Sequence, residues 1–243
     1  MITAVVPVFN EKGNIKPLVE EIFCVAEKLP VTEVVFVDDF STDGSGDVLD
    51  ELQSKYLELR VIRHSKNFGQ SSALLTGVEA ARNEIIVTLD GDGQNPPEDI
   101  KVLWEAYQRH KENYARLMIA GERVKRNDNL VRRISSRVAN KIRTGLLRDR
   151  TKDTGCSMKL FSRSDYLKLP YFDHMHRFIP ALMLREGVEL VHVGVSHRHR
   201  IYGESKYKTL DRAFAGIIDL MGVLWLKKRS RRASEGDITE KLT

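Results

Sequence analysis

The sequence predicts an α/β fold with a mostly parallel central sheet, and two observations lead to that prediction. In the first hundred residues, short apolar runs rich in β-branched residues alternate with segments of helical periodicity, the pattern of successive βαβ units. The chain has 243 residues, of which 42% are hydrophobic, enough for one substantial core or two small domains. We therefore expect residues 1–100 to form a Rossmann-like, nucleotide-binding half.

The elements of this half can be placed in order. The first strand is Ile2–Val8, a continuous apolar run that suits a strand buried on both faces. A helix follows over 14–28, where apolar residues recur at helical spacing and Asn14 is the expected N-cap. Turn residues then separate strands at 33–38, 59–64 and 84–89 from helices at 46–55 and 70–81, before an amphipathic helix at 98–109 and a strand at 115–121.

Positive charge is concentrated outside this half. The whole chain carries 39 Lys and Arg against 34 Asp and Glu, a formal charge of +5. Residues 123–150 contain ten Lys or Arg and two Asp, and residues 196–232 contain ten Lys or Arg and three acidic residues. These stretches favour an anionic partner. Residues 123–150 contain no aromatic residue, and the acidic turn with Asp90 and Asp92 would repel a nucleic-acid backbone, so we predict no nucleic-acid binding.

The cysteine content and the apolar segments bear on location. Cys24 and Cys156 are too few for a disulfide scaffold or a four-cysteine zinc site, which favours a reducing, cytoplasmic compartment. The first residues lack the basic and apolar regions of a signal peptide. The longest apolar stretch, 214–226, contains Asp219 and is shorter than the roughly 20 residues of a membrane span. We expect neither a signal peptide nor a transmembrane helix.

Polar residues follow each of the four predicted strands, at the sheet edge where open α/β folds bind their ligands. After the fourth strand, Asp90, Asp92 and Gln94 occupy alternate positions. Their oxygen atoms suit Mg²⁺ or Mn²⁺, ions that accompany phosphate substrates. An EF-hand is excluded, because its required Gly and Glu are replaced by Asn95 and Lys101. The sequence predicts a divalent-metal site at this turn.

The second strand also ends in acidic residues. Asp38 and Asp39 would suit hydrogen bonds to a base or ribose. Gly91 and Gly93 would let the backbone approach a ligand closely. The Gly-Ser-Gly run at 44–46 follows the second strand and lacks a third glycine, so it is no Rossmann fingerprint, and no Walker motif occurs. We therefore expect a nucleotide diphosphate to be held by acidic residues through a metal ion.

Three motifs at these strand ends resemble those of family 2 glycosyltransferases of the GT-A fold: VVPVFNE at 5–11, VDDFSTDGS at 37–45 and DGDGQNPPE at 90–98. Motifs further along resemble the polyprenyl-phosphate glycosyltransferases, the dolichol-phosphate mannosyltransferase-like group: GER at 121–123, DTGC at 153–156 with Lys159, HRF at 176–178 and RIYGESKY at 200–207. The resemblance covers about residues 1–228. It implies an inverting glycosyltransferase.

The resemblance implies two sets of site residues. On the donor side, the nucleoside would contact Pro7, Asn10, Glu11 and Asp39, with Lys66, Asn67 and Gly69 lining the crevice; Asp90, Asp92 and Gln94 would hold the metal; and Arg200, Ser205 and Lys206 would reach the diphosphate. On the acceptor side, the lipid phosphate would contact Arg123, Arg133, Ser136, Arg137 and Arg177. Asp153 would be the base only if the acceptor is a hydroxyl.

The expected reaction is metal-dependent transfer of a hexosyl group from a GDP- or UDP-linked sugar to a polyprenyl phosphate. The expected layout is one domain over 1–228, with a nucleotide-sugar half (1–100), an acceptor half (101–209) and an interfacial amphipathic helix (210–228), then a disordered polar tail (229–243). A basic run after that helix predicts peripheral binding to an anionic membrane on its cytoplasmic face. Homo-oligomers are compatible with the subgroup. Transfer to a sugar hydroxyl and nucleotidyl transfer are the alternatives within related folds.

Overall fold

The computed structural model describes residues 1–124, 143–200 and 209–229. Its framework is a seven-stranded sheet. The strands are β1 (Ile2–Val8), β2 (Val31–Asp38), β3 (Leu59–Arg63), β4 (Ile85–Thr88), β5 (Leu117–Arg123), β6 (Lys159–Ser162) and β7 (Glu189–Val195). They lie in the order β3-β2-β1-β4-β6-β5-β7, and β6 runs antiparallel to both neighbours while the other pairings are parallel. The mostly parallel sheet expected from the sequence is confirmed.

Helices cover both faces of this sheet. They are α1 (Lys12–Ala26), α2 (Ser45–Gln53), α3 (Gln70–Ala80), α4 (Ile100–His110), α5 (Arg163–Tyr166), α6 (Ile179–Arg185) and α7 (Thr209–Lys228), with 3-10 turns at Pro97–Asp99 and Met175–Arg177. Alternate residues of a strand point to opposite faces. On β1, Val6 therefore packs in the cluster that includes α1, α2 and α4, whereas Val5 packs in the cluster of α3, α6 and α7. Two hydrophobic layers thus enclose the sheet.

The elements predicted up to residue 123 are found within two residues of their expected ends. The N-cap assignment of Asn14 is wrong. Asn14 lies inside the first turn of α1, where its Nδ2 donates to Glu11 Oε2 at 2.7 Å. The neighbouring loop caps the helix instead, because Ser45 Oγ accepts from the Glu11 amide at 2.9 Å and Asp43 Oδ2 from the Lys12 amide at 3.1 Å.

β6 is an element that periodicity did not predict. It has four residues, too few to establish a period, and it inserts between β4 and β5. Its first residue, Lys159, is only 4% exposed, which is unusual for a lysine. The insertion places the segment preceding β6, which carries Asp153, beside the end of β5.

The helix expected over 210–228 is confirmed as α7. Val223 is fully buried in the hydrophobic cluster of α3, α6 and α7, and Lys227 Nζ donates to the carbonyl of Leu147. In the described ranges, no helix is both long and apolar enough to cross a bilayer. The polar tail beyond residue 229 lies outside the described residues.

Candidate active site

Asp39 organises the loop that follows β3. Its carboxylate accepts hydrogen bonds from the amides of Phe68 at 2.9 Å and Gly69 at 2.7 Å. His64 Nδ1 lies 2.7 Å from Asp39 Oδ1, and His64 Nε2 lies 2.9 Å from Thr76 Oγ1. Gly69 has φ +87°, a conformation that favours glycine. Asp39 and Gly69 are thus brought together, and His64 is a site residue that no sequence signal identified.

The loops after β1 and β2 are joined by side chains of the predicted motifs. Asn10 has φ 55° and its Oδ1 accepts from the Thr42 amide at 2.7 Å. Asp38 Oδ1 accepts from the Ser41 amide at 2.9 Å, and Ser41 Oγ accepts from the Asn10 amide at 2.8 Å. Asn67 Nδ2 donates to the Asp39 carbonyl at 3.3 Å. These contacts bring four predicted donor-site residues together in the joined loops: Asn10, Asp38, Asp39 and Asn67.

Lys66 and Gly91 are two further predicted donor-site residues, and their contacts differ from those of the joined loops. Lys66 is exposed, with Nζ 4.9 Å from the centre of the Phe68 ring. A Cβ at Gly91 would lie 2.9 Å from the Pro7 carbonyl oxygen and 2.9 Å from Val8 Cγ2. The close approach to β1 by itself requires glycine at Gly91, and the predicted close approach to a ligand stays a prediction.

Asp90 and Asp92 lie together at the centre of this edge. Asp90 Oδ1 accepts from Gln70 Nε2 at 2.8 Å. Burial and the neighbouring charge of Asp92 raise the pKa of Asp90 to about 6. Asp92 Oδ1 accepts from the Gln94 amide at 3.0 Å, and its Oδ2 accepts from Arg200 Nη2 at 2.6 Å.

Arg200 joins Asp92 to a second carboxylate. Its Nη1 lies 3.3 Å from Glu11 Oε1. Burial opposes its charged form, but the ion pair with Asp92 and the nearby charge of Glu11 raise the pKa of Arg200. The guanidinium is therefore a permanent cation at this edge of the sheet. Its charge interacts with three carboxylates, those of Asp92, Glu11 and Asp90.

Arg198 fixes the acidic turn in place. Its Nε donates to the Gly93 carbonyl at 2.5 Å, and its Nη1 and Nη2 bind the Glu21 carboxylate of α1 at 2.9 and 2.8 Å. Its amide donates to the Gln94 carbonyl at 3.0 Å. The basic stretch was the sole sequence signal for Arg198, and it did not separate this residue from its neighbours. Arg198 ties the chain after β7 to the turn that carries Asp90, Asp92 and Gln94.

The donor edge suits a hard divalent cation. Its candidate ligands are oxygen atoms, and mutual repulsion between Asp90 and Asp92 would fall when a cation binds. Among the described residues, no three His, Cys, Asp or Glu side chains converge into a self-sufficient metal site. Asp90, Asp92 and Gln94 could thus supply part of a coordination shell, completed by ligand oxygens.

On the other side of β4, the structure pairs Arg123 with Asp153. Arg123 Nε lies 2.5 Å from Asp153 Oδ2, and Nη2 lies 2.7 Å from Oδ1. Burial opposes the charge of Arg123, but this ion pair raises the pKa of Arg123. The charges of Arg123 and Asp90 also interact with each other, so the two sides of the site are neighbours.

The other basic residues of this part of the chain have different surroundings. Arg143 is buried, and its Nη1 lies 2.6 Å from Asp149 Oδ2, so this part of the stretch is structural. Arg177 closes the 3-10 turn Met175–Arg177, in which His176 Nδ1 lies 2.8 Å from Ser71 Oγ at the start of α3. The remaining predicted residues lie outside the described ranges: Arg133, Ser136, Arg137, Ser205 and Lys206.

Known proteins show which family combines these features. A family model described as Glycosyl transferase family 2 matches residues 3–169. The chain belongs to glycosyl transferase family 2. This family 2 protein is accordingly a glycosyltransferase, and the enzyme class expected from the sequence is confirmed.

Curated relatives of the family 2 chain act on polyprenyl phosphates by name, which confirms the subgroup resemblance. Dodecaprenyl-phosphate galacturonate synthase of Rhizobium johnstonii is 33% identical over 236 residues, covering 95% of this chain and 68% of that protein. Undecaprenyl-phosphate 4-deoxy-4-formamido-L-arabinose transferase of Aeromonas hydrophila is 29% identical over 209 residues, covering 85% of this chain and 63% of that protein. The chain thus spans about two thirds of these relatives.

Solved structures confirm the GT-A fold. Glucosyl-3-phosphoglycerate synthase of Mycobacterium tuberculosis, in complex with Mg²⁺ and UDP, superposes with a TM-score of 0.66 at 17% identity, covering 93% of this chain and 79% of that one. The same enzyme with Mn²⁺, UDP and phosphoglyceric acid gives a TM-score of 0.65 at 18% identity, covering 97% and 80%. At this identity the likeness concerns the fold.

Proposed function

We propose that the protein transfers a hexosyl group from a GDP- or UDP-linked sugar to a polyprenyl phosphate, with inversion and with Mg²⁺ or Mn²⁺. The observation that carries the proposal is the juxtaposition of two differently charged groups. The Asp90–Asp92 pair with Arg200 suits a metal-bound diphosphate, and the guanidinium of Arg123 lies close enough to Asp90 to interact with its charge. A donor and an anionic acceptor would meet between them.

The donor side would bind and activate the leaving group. A bound divalent cation would neutralise the charge that develops on the departing diphosphate. Asp92 and Asp90 would hold that cation, while Arg200 would donate hydrogen bonds to diphosphate oxygens from the same edge. Asn10, Asp38 and Asp39 hold together the loops at which the nucleoside would bind.

The acceptor side would require positioning more than proton removal. A phosphate monoester has a second pKa of about 6, so its oxygen is already ionised at neutral pH. An arginine can hold such a phosphate through two parallel N–H···O bonds. Arg123, with Arg177, would aim the phosphate oxygen at the anomeric carbon, and one displacement would complete the transfer.

Helix α7 would dock this site on a membrane. Four exposed apolar side chains recur along one face of the helix: Ile217 (61% exposed), Ile218 (58%), Met221 (63%) and Trp225 (58%). The Arg229 guanidinium lies 5.7 Å from the centre of the Trp225 ring, at the basic end of the helix. Apolar anchors followed by cations favour the surface of an anionic membrane, and the lipid acceptor would place the enzyme at its cytoplasmic face.

The test measures release of nucleoside diphosphate from a panel of GDP- and UDP-sugars with Mn²⁺ or Mg²⁺. Each reaction is run with and without polyprenyl phosphate, because transfer requires the lipid phosphate and donor hydrolysis does not. We expect release that requires the lipid phosphate and falls by about 10²–10³-fold in Asp92→Asn. The matched control is Asp50→Asn, an exposed aspartate on α2. Release that needs a saccharide instead would favour a glycan-extending enzyme, and release of pyrophosphate would indicate nucleotidyl transfer.

A further inference from the structure

The Arg123–Asp153 pair is more tightly built than a surface ion pair. Besides the two side-chain bonds, the backbone amide of Arg123 donates to Asp153 Oδ2 at 3.3 Å. The side chains are 15% and 7% exposed. Three donors from Arg123 thus converge on the two carboxylate oxygens of Asp153. A bidentate, charge-assisted arrangement of this kind fixes orientation as well as charge.

The turn that carries Asp153 is shaped to receive the guanidinium. A Cβ at Gly155 would lie 2.9 Å from Arg123 Nη2, so a larger side chain would displace the arginine. The Cys156 amide donates to the Asp153 carbonyl at 3.4 Å, and the buried Lys159 Nζ donates to the Cys156 carbonyl. Because Lys159 begins β6, the turn is anchored to the central sheet.

We propose that Asp153 is a positioning residue that orients Arg123 toward the acceptor phosphate. This inference rests on the proposed function. Both oxygens of Asp153 face Arg123 donors, and a phosphate acceptor needs no base. A guanidinium has five N–H groups, and the fork to Asp153 uses two of them, so Arg123 can bind a second oxyanion while it is held. Asp153 therefore acts through Arg123.

Initial rates measured against polyprenyl phosphate concentration and pH test this role in Asp153→Asn, Arg123→Gln and the double variant. We expect each single substitution to raise KM for polyprenyl phosphate by about tenfold, with a smaller change in kcat. The double variant should be no worse than the poorer single variant, because residues that act as a unit are not additive. The shape of the kcat–pH profile should stay that of the parent enzyme.

The matched control is Asp165→Asn. Asp165 is buried and accepts from Arg116 Nε at 2.8 Å, but it lies on α5 and is not a predicted site residue. This substitution should leave KM for polyprenyl phosphate unchanged. Asp153→Glu keeps the charge while moving the carboxylate, and it should raise KM less than Asp153→Asn does, which keeps the test decisive if the Asn variant folds poorly.

Two results would overturn the inference and leave the proposed function intact. One is a loss of kcat at unchanged KM in Asp153→Asn, accompanied by loss of the acidic limb of the pH profile, as a general base would give. The other is full additivity in the double variant. A parent enzyme that releases nucleotide without any dependence on polyprenyl phosphate would instead refute the proposed function itself.

Discussion

The two sides of the candidate active site, proposed for the donor and for the acceptor, balance charge in different ways. On the donor side, the carboxylates of Glu11 and Asp92 share the guanidinium of Arg200, and Asp90 stands beside them. On the proposed acceptor side, Arg123 and Asp153 form a bidentate ion pair. Among the described residues, three carboxylates thus surround one guanidinium on the donor side, whereas on the acceptor side one guanidinium is held by one carboxylate. The first arrangement suits a site completed by a cation, and the second suits a rigid support for one arginine.

The largest expected effect comes from removing the shared cation on the donor side. Arg200→Gln should lower transfer by about 10²–10³-fold, because a donor to the diphosphate is lost. The same substitution should strengthen Mn²⁺ binding to the nucleotide-free protein several-fold, since the guanidinium no longer neutralises Asp92. Calorimetric titration with Mn²⁺ alone, and then with nucleoside diphosphate, measures both effects.

The control for that titration is Arg82→Gln, an exposed arginine at the opposite edge of the sheet that should change neither quantity. If Arg200→Gln weakens Mn²⁺ binding in the absence of nucleotide, the guanidinium of Arg200 and the metal ion do not compete for the carboxylate of Asp92. The contrast between the two sides would then be wrong.

An intermediate effect is expected at the membrane. The double variant Ile218→Ser, Trp225→Ser should reduce binding to vesicles that contain anionic lipid by about tenfold, because each anchor buries apolar area in the interface. Sedimentation with vesicles of defined composition measures it. Leu57→Ser removes a 92% exposed leucine from the loop before β3 and provides the matched control. Equal losses in both variants would mean that α7 is not the docking face.

The smallest expected effect is on the stability of the protein, and it concerns Asp90 on the proposed donor side. The pKa of Asp90 is raised from 3.8 to about 6, so the native state binds this proton more tightly than the unfolded state does. Its contribution to the free energy of unfolding is complete below about pH 3.8 and is lost as the pH rises through about 6. Asp90→Asn should therefore raise Tm at pH 7.5 by about 2–4 °C without metal, as roughly 1 kcal/mol would.

That gain should disappear by pH 4, and Mn²⁺ with nucleotide should reverse it by stabilising the parent protein more than the variant. Scanning calorimetry across this pH range provides the test, with the exposed Asp50→Asn as control. A gain of equal size at pH 4 and 7.5 would show that Asp90 carries no electrostatic strain.

Most residues of the proposed donor side could be identified in the sequence. The strand ends, the Asp90–Asp92 pair and the resemblance to family 2 all lie in short motifs whose chemistry depends on adjacent residues. The contacts between residues far apart in the sequence were not predictable. Arg198 binds Glu21 across 177 positions, and His64 meets Asp39 across 25. No local pattern encodes such pairings.

The sequence by itself determined the α/β class, the ends of the elements up to residue 123 to within two residues and the acidic turn after β4, because periodicity and turn chemistry act over a few residues. The tertiary structure decided where β6 inserts, which neighbours cap α1 and which anion Arg123 meets. Asp153 was predicted as a possible base, and its contact with Arg123 exists because β6 runs antiparallel beside β5. Strand order and register, which are global properties, set that contact.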